Sequence, residues 1–295
     1  MQKLVLAFFL GMFQGPATPA PAVPAPTVAA VAAPAETPPD YSRAPVAAAE
    51  AAAARGEVRS EREGTRYRFL FPDGSSVEFE DRARRSQDTA RRERVVQYFG
   101  SQPASAEPES TFAAAGQAAG LSPAAIQALR FVSRHEGGFD AINTWDRARF
   151  SWGFIQFAGG YGLRPALAHF KSKSPDLFRQ LLGRYGVDVL PSAEGRPEPV
   201  FVDTKSGEVL RGNAAEQAYG DDPLTIALFI RAARVTEVKQ RQIEAAIRDY
   251  ALPALTEPYN GVSLSDVLRS PRGMAMLIDR KVHEGNVSRL EWALE

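Results

Sequence analysis

The chain contains no cysteine, and its charges cancel. Lys and Arg together number 35, Asp and Glu also number 35, and the formal net charge over 295 residues is +0. Without cysteine there are no disulfides, thiol nucleophiles or cysteine-ligated metal sites. The balanced charge offers no general basic surface for nucleic acid and no acidic field for a polycationic substrate. We therefore expect no nucleic acid partner and no thiol-based chemistry.

Histidine is scarce as well. The three histidines are His135, His169 and His283, which lie far apart in the sequence. None belongs to a HExxH-type spacing that would hold zinc. We expect no metal and no cofactor.

The N-terminus begins with a short apolar run. Residues 4–13 are apolar and follow Lys3, and Ala20 and Ala22 could supply an A-x-A-like cleavage point. The run is too short to span a bilayer. We predict a signal peptide over residues 1–22, no stable transmembrane segment, and export to the periplasm or the extracellular space. An N-terminus without regular structure or an uncleaved anchor is the alternative.

Composition divides the remaining chain into four segments. Residues 23–55 are rich in Ala and Pro without periodicity, which predicts a disordered linker. Residues 56–101 predict a small module of a β-hairpin and a helix, because aromatic residues alternate on both sides of a Pro-Asp-Gly turn. Residues 102–112 are a second linker. Residues 113–295 predict one mainly helical domain.

The helix of the small module is expected over residues 82–99. Six arginines from Arg82 to Arg94 accompany Asp88 and Glu93 there. Such a helix could dock on an anionic polymer or membrane surface. We favour the alternative, a solvated face of a helix that packs on the hairpin, because charged residues are mostly exposed.

Prolines mark the predicted starts of helices in the helical domain. Ser122 followed by proline predicts an N-cap and a helix that runs to about Glu136. Asp222 followed by proline repeats this signal and predicts one long helix over residues 223–249. Two more helices are expected over residues 263–268 and 271–283. Residues 199–211 predict a short hairpin in a surface insertion.

Glu136 falls on the apolar stripe of its helix. Each helical residue turns by about 100°, so Glu136 shares a face with Leu129 and Val132, whereas Arg134 points elsewhere. Burial raises the pKa of a carboxyl group, and an acid that keeps its proton near neutrality can protonate a glycosidic oxygen. Two glycines then end the helix and leave room for a polymer strand. The alternative is a structural glutamate paired with Arg134 or Arg147.

A second carboxylate follows ten residues later. Asp146 lies in a polar loop, whose neighbours would keep it ionised. An ionised carboxylate there can activate water or stabilise an oxocarbenium-like transition state. Asp140 is the rival for this role, although a cap or turn residue is the more ordinary interpretation.

Residues 150–157 predict a strand or hairpin that forms one wall of a cleft. We expect Phe154 and Phe157 in the core, and core packing is the alternative for Trp152. The polar and aromatic side chains near the two acids predict substrate contacts by the following residues: Asn143, Thr144, Ser151, Trp152 and Gln156.

With these residues in place, residues 135–157 resemble the active-site region of the lysozyme-like glycosidase superfamily. The order Glu136, Asp146, Ser151 is close to the Glu…Asp…Thr arrangement of bacteriophage-type lysozymes. The segment that begins at Asp146 is similar to the Asp-bearing segment of family 46 chitosanases. Residues 153–156, Gly-Phe-Ile-Gln, are similar to the Gly-Leu-Met-Gln signature of lytic transglycosylases.

The chain departs from these families at three points. The interval from Glu136 to Asp146 is shorter than in chitosanases, and Ser151 stands where the phage enzymes have threonine. Residues 259–261, Tyr-Asn-Gly, only faintly resemble the Tyr-Asn motif of transglycosylases. The subfamily therefore stays open.

The resemblance implies a mainly α catalytic domain with a small β-hairpin, a lysozyme-like α+β fold, beside a polysaccharide cleft. It assigns the general-acid role to Glu136 and the second carboxylate role to Asp146. The implied activity is that of a glycoside hydrolase, lysozyme- or chitosanase-like, on β-1,4 bonds of a cell-wall amino-sugar polymer, above all peptidoglycan. Two alternatives stay open: lytic transglycosylation by Glu136 alone, and a non-catalytic wall-binding protein of the same fold.

Asp279 and His283 lie one helical turn apart near the C-terminus. A role in lining the cleft is conceivable. We favour an ordinary helix-end charge pair, because this spacing is routine on helices.

Overall fold

Helices and two larger β-sheets make up the part of the chain that the structure describes. The structure is a computed structural model that describes residues 41–83, 94–145, 148–259 and 262–285, without the side chains of His135, Tyr259 and Val262. The predicted signal peptide, the first part of the predicted linker, residues 84–93 and Asp146 lie outside the described residues. The described residues belong to one compact unit, Pro38–Glu295.

The larger sheet has seven antiparallel strands in sequence order. Burial alternates along its third strand, because one face of the sheet is covered and the other meets water. The predicted hairpin is confirmed, with Arg66 opposite Glu80. The seven strands are β1 (Arg59–Glu63), β2 (Arg66–Leu70), β3 (Ser76–Ala83), β4 (Arg94–Tyr98), β5 (Ile142–Asn143), β6 (Ser151–Trp152) and β7 (Phe157–Ala158).

The expected fold, mainly α with a small β-hairpin, is wrong. About 50% of the structure is helical, but 21% is strand, and the sheet is far larger than a hairpin. At its two described ends, the helix expected over residues 82–99 is replaced by β3 and β4, with Arg82 opposite Val95. Val95 and Val96 are β-branched and buried, so packing in the sheet outweighs the helix-like charge pattern.

The arginines at these described ends have partners within the sheet. Arg94 binds Asp81 through its Nε at 2.7 Å, and Arg82 donates to the side chain of Gln97. Contact of this segment with an anionic surface stays a prediction, because residues 84–93 are outside the described residues.

Two helices begin as predicted, one at Pro123 and one at Pro223. Ser122 accepts a hydrogen bond from the backbone N–H of Ala125, and Asp222 accepts one from Thr225. The single helix expected over residues 223–249 is wrong, because the chain turns between Ala232 and Thr236 and a π-helical turn follows. The helices are α1 (Ala48–Gly56), α2 (Glu109–Ala118), α3 (Pro123–Glu136), α4 (Leu163–Lys173), α5 (Pro175–Leu181), α6 (Gly212–Asp221), α7 (Pro223–Ala232), α8 (Thr236–Ala246), α9 (Leu252–Thr256), α10 (Leu264–Val267) and α11 (Pro271–Glu284).

A second sheet has three antiparallel strands, β8 (Val187–Pro191), β9 (Pro197–Val202) and β10 (Val209–Arg211). The predicted hairpin is its β9–β10 pair. Residues 200–202 of β9 are buried in the core, whereas β10 and the loop before it are mostly exposed, so only the second half of the hairpin fits the predicted surface insertion. The buried hydroxyl of Tyr219 in α6 donates to the backbone oxygens of Asp188 and Val200 at 2.9 and 2.8 Å, and so fixes the helix to the sheet.

One apolar cluster connects these elements. It includes Phe69 and Phe79 from the N-terminal hairpin, Leu129 from α3, and Phe150 and Phe229 from the C-terminal half. The core therefore supports α3 from its buried side and fixes the end of the helix that carries Glu136.

Candidate functional site

Glu136 is the last residue of α3, and its side chain is largely covered, at 13% exposure. Leu129 and Val132 on the same stripe are buried and Arg134 is exposed, as the helical pattern predicts. Gly137 follows with φ 133, and a Cβ at that position would lie 2.9 Å from Ala141 Cβ. A side chain there would be strained and crowded, so glycine is required directly after the acid.

The partner of Glu136 among the described residues is a histidine from the other end of the domain. Glu136 Oε1 lies 3.0 Å from His283 Nε2, which is 3.6 Å from Asp279 Oδ1. Helix α11 carries both residues and packs against α3. The carboxylates of Asp279 and Glu136 raise the pKa of His283 to about 10, so this imidazole is positively charged at neutral pH. The alternative pairing of Glu136 with Arg134 is not found among the described residues, and Arg147, the other alternative partner, lies outside them.

The same three side chains are the ones that could hold a divalent cation. A carboxylate oxygen of Glu136, one of Asp279 and a ring nitrogen of His283 all lie within 4.8 Å of one another. Nitrogen and oxygen ligands of this kind suit zinc and similar ions. The spacing of Asp279 and His283 was visible in the sequence, but the approach of Glu136 was not.

Asp140, the rival second carboxylate, is completely buried and organises a loop. Its carboxylate accepts hydrogen bonds from the backbone N–H of Ser101 at 2.8 Å and of Gln102 at 2.9 Å. The Ser101 hydroxyl at 2.8 Å, Arg234 Nε at 3.3 Å and the Tyr98 hydroxyl at 3.3 Å also donate to it. This arrangement fits the structural interpretation of Asp140, because a carboxylate with these bonds is not open to a substrate.

Two predicted substrate-binding residues lie between the sheet and the loop that leads to Asp146. Thr144 is buried, and its hydroxyl accepts a hydrogen bond from the backbone N–H of Val96 at 2.9 Å. Asn143 is half-buried, and its Oδ1 accepts from the backbone N–H of Trp145 at 3.0 Å. Both side chains therefore shape the start of the loop, while Asp146 itself lies outside the described residues.

Ser151 and Trp152 point into the interior, and both are 1% exposed. The indole N–H of Trp152 donates to the backbone oxygen of Phe229 at 3.2 Å, and the two rings pack edge to face. A sugar in an open cleft would not reach either side chain. Phe154 and Phe157 are fully buried, as expected.

Gln156, the last of the five predicted substrate contacts, lies close to Gly137, the residue after Glu136. It is half-buried, adopts a left-handed backbone with φ 53, and donates from Nε2 to the backbone oxygen of Gly153 at 3.3 Å. Its Nε2 would lie 3.6 Å from a Cβ placed on Gly137. The amide thus flanks the glycine that follows Glu136.

An open depression of about 300 Å³ adjoins the end of α3. Phe99 stands at its edge with 69% of its surface exposed, and Arg134 is also exposed. Sequence analysis missed the residues before α3, because they fall in segments assigned to the small module and the linker. The lining residues are Phe99, Gly100, Pro103, Ala104, Ser105, Ser133, Arg134, Gly137 and Gly138.

A larger depression of about 390 Å³ lies between strands β2 to β4 and the start of α7. Both of its acidic groups have partners: Asp81 is bound by Arg94 and by the Tyr67 hydroxyl at 3.1 Å, and Asp221 accepts a hydrogen bond from Gln217 Nε2 at 2.9 Å. We place the candidate site at the smaller depression, because residues on both sides of Glu136 in the chain, Arg134 and Gly137, line it.

Within the described residues, each helix is too short or too polar to cross a membrane. Comparison of the chain with protein-family models, with curated proteins and with solved structures gives no match. The functional argument below is therefore based on the residues and their geometry.

Proposed function

We propose that this chain is a glycoside hydrolase that cleaves β-1,4 bonds of a cell-wall amino-sugar polymer, above all peptidoglycan. The observation that carries this proposal is the position of Glu136, a largely covered carboxyl group at a helix end whose neighbours Arg134, Gly137 and Gly138 line an open depression. A general acid for glycoside cleavage needs a position that limits solvation and still lets the glycosidic oxygen approach. The resemblance of residues 135–157 to lysozyme-like enzymes supports the same role.

In this proposal Glu136 donates a proton to the leaving sugar oxygen. His283 is charged and holds Glu136 Oε1 at 3.0 Å, which fixes the orientation of the carboxyl group. The second oxygen, Oε2, has no hydrogen bond to a described residue, so in this proposal it is the atom that delivers the proton to the leaving sugar oxygen. His283 is therefore a positioning residue, and Asp279 keeps it charged.

The second carboxylate in this proposal is Asp146, which activates water or stabilises the oxocarbenium-like transition state. Asp140 is not available for this role, because its oxygens bind Ser101, Gln102 and Arg234. The proposed substrate agrees with the predicted signal peptide, because peptidoglycan lies outside the cytoplasm. Export is accordingly part of the proposal.

Lytic transglycosylation by Glu136 alone is the second candidate. The bonding of Asp140 favours it, since the most obvious alternative base near Glu136 is occupied. If Asp146→Asn retains full activity and mass spectrometry finds anhydro-sugar ends, this second reaction replaces hydrolysis. A binding protein without turnover would release no soluble fragments from the wall.

The direct test is Glu136→Gln, assayed by release of reducing ends from purified peptidoglycan. We expect a loss of about 100-fold or more, the usual contribution of general acid catalysis. Glu208→Gln is the matched control, because Glu208 is an exposed glutamate in the loop between β9 and β10. Circular dichroism of both variants checks the fold. Full activity of the folded Glu136→Gln chain would overturn the proposal.

A further inference from the structure

Arg134, close to the proposed acid in the chain, is a cation without a partner among the described residues. It lies two residues before Glu136 in the last turn of α3, is exposed, and lines the 300 Å³ depression. No hydrogen bond or ion pair joins its guanidinium to another residue of the described ranges. Arg130, one turn earlier on the same helix, is bound to Glu109 Oε2 at 3.3 Å. The planar donor group of Arg134 is therefore open to an acceptor that enters the depression.

Phe99 lines the same depression and exposes 69% of its surface. Its backbone is fixed, because its carbonyl oxygen accepts a hydrogen bond from the N–H of Gly138 at 2.8 Å. An exposed aromatic ring on an anchored backbone offers a flat apolar surface to a ligand. The C–H face of a pyranose ring is a suitable partner for such a surface. Gly100 and Gly138 add a wall without side chains, over which a sugar can approach closely.

We propose that this depression is a subsite for a glycan unit that carries a carboxylate, with Phe99 under the sugar ring and Arg134 on the carboxylate. The inference rests on the proposed function, because the depression reaches Gly137, the residue that follows the proposed acid. Guanidinium and carboxylate match in charge and in fork geometry. A neutral N-acetylglucosamine polymer has no charged group for Arg134, and a polyamine glucan would be repelled by it. Peptidoglycan carries carboxylates on its stem peptides and fits this subsite.

The experiment measures binding separately from turnover. The full chain with Glu136→Gln keeps ligands intact, and calorimetry gives its Kd for two probes. One probe is a disaccharide-peptide fragment of peptidoglycan, and the other is a neutral chito-oligosaccharide. Arg134→Gln is added to this background, with Arg134→Lys as the conservative variant. Arg59→Gln is the matched control, because Arg59 is exposed on β1 at the opposite edge of the sheet from β7.

We expect Arg134→Gln to weaken binding of the carboxylate-bearing fragment roughly tenfold, the usual scale of a hydrogen bond to a charged group. Binding of the neutral oligosaccharide should not change, and Arg134→Lys should restore part of the loss. Arg59→Gln should affect neither probe. Phe99→Ala should weaken both probes, because stacking does not depend on the carboxylate.

Equal Kd values for both probes with and without Arg134 would overturn the subsite. The same measurements distinguish a failure of the subsite from a failure of the proposed function. If the wild-type chain releases no reducing ends but binding of the charged fragment still depends on Arg134, the subsite stands and hydrolysis falls. If the wild-type chain cleaves peptidoglycan and binding ignores Arg134, the function stands and the subsite falls.

Discussion

Replacement of Asp140 distinguishes a structural carboxylate from a catalytic one. The side chain is completely buried and accepts hydrogen bonds from Ser101 N, Ser101 Oγ, Gln102 N and Arg234 Nε over 2.8 to 3.3 Å. Loss of one partner from a buried charged set costs about 3–5 kcal/mol, because the remaining charge and N–H groups lose their acceptor. We expect Asp140→Ala to lower the free energy of unfolding by about this amount.

Asp140→Asn should cost less, about 2–3 kcal/mol, since the amide keeps one acceptor oxygen but turns an NH₂ group toward other donors. Urea unfolding followed by circular dichroism measures both variants, with the exposed Asp266 replaced by Asn as control, for which we expect less than about 0.5 kcal/mol. If Asp140 were catalytic, its replacement by Asn would lower turnover and leave stability unchanged. Loss of turnover in Asp140→Asn at unchanged stability would refute the structural assignment.

Three further predictions follow from the contacts described above. His283→Gln should lower turnover more than it lowers stability. The pKa of His283 is raised to about 10 by Asp279 and Glu136, so its contribution to stability is full below its unfolded value of 6.5 and is lost as pH rises toward about 10. Calorimetry measures the unfolding temperatures of the wild-type chain and of His283→Gln across that pH range. A difference between the two chains that does not change with pH would contradict the contact. Burial opposes ionisation of Glu244, but hydrogen bonds from a histidine and an arginine lower its pKa to about 2. Glu244 therefore stabilises the fold above pH 4.5, and this stabilisation is lost as the pH falls toward 2. In acid unfolding, the stability of Glu244→Gln should accordingly fall less steeply with pH than that of the wild-type chain. Trp152→Phe should lower stability by about 1–3 kcal/mol, because the backbone oxygen of Phe229 loses its buried donor. Reduced binding of saccharide at unchanged stability would instead place Trp152 in the substrate cleft.

The parts of the fold that local chemistry determines could be read from the sequence. The N-caps of α3 and α7 depend on residues three positions apart, and the apolar stripe that includes Glu136 depends on one helix. The strand β4 could not be read in this way. Its charge pattern suits a helix, and it is held as a strand between β3 and β5, of which β5 lies more than 40 residues later in the chain.

The candidate site likewise combines residues that a local sequence pattern predicts with residues that only tertiary contacts bring together. Glu136 was recognisable from its position at a glycine-terminated helix end. His283 lies 147 positions after Glu136 in the chain (283 minus 136), and no local pattern reports that α11 packs along α3. Phe99 reaches the depression because Asp140 holds residues 101 and 102, a contact between segments that composition assigned to different parts of the chain.

The contrast between leaving groups tests the role of Glu136 most directly. A general acid matters for a sugar leaving group, which needs a proton, but not for a nitrophenolate, which leaves without one. The measurement compares the wild-type chain with Glu136→Gln on peptidoglycan and on a nitrophenyl glycoside of the same sugar. We predict a loss of about 100-fold or more on peptidoglycan and a small change on the nitrophenyl glycoside. Equal losses on both substrates, or no loss on peptidoglycan, would contradict Glu136 as the proton donor.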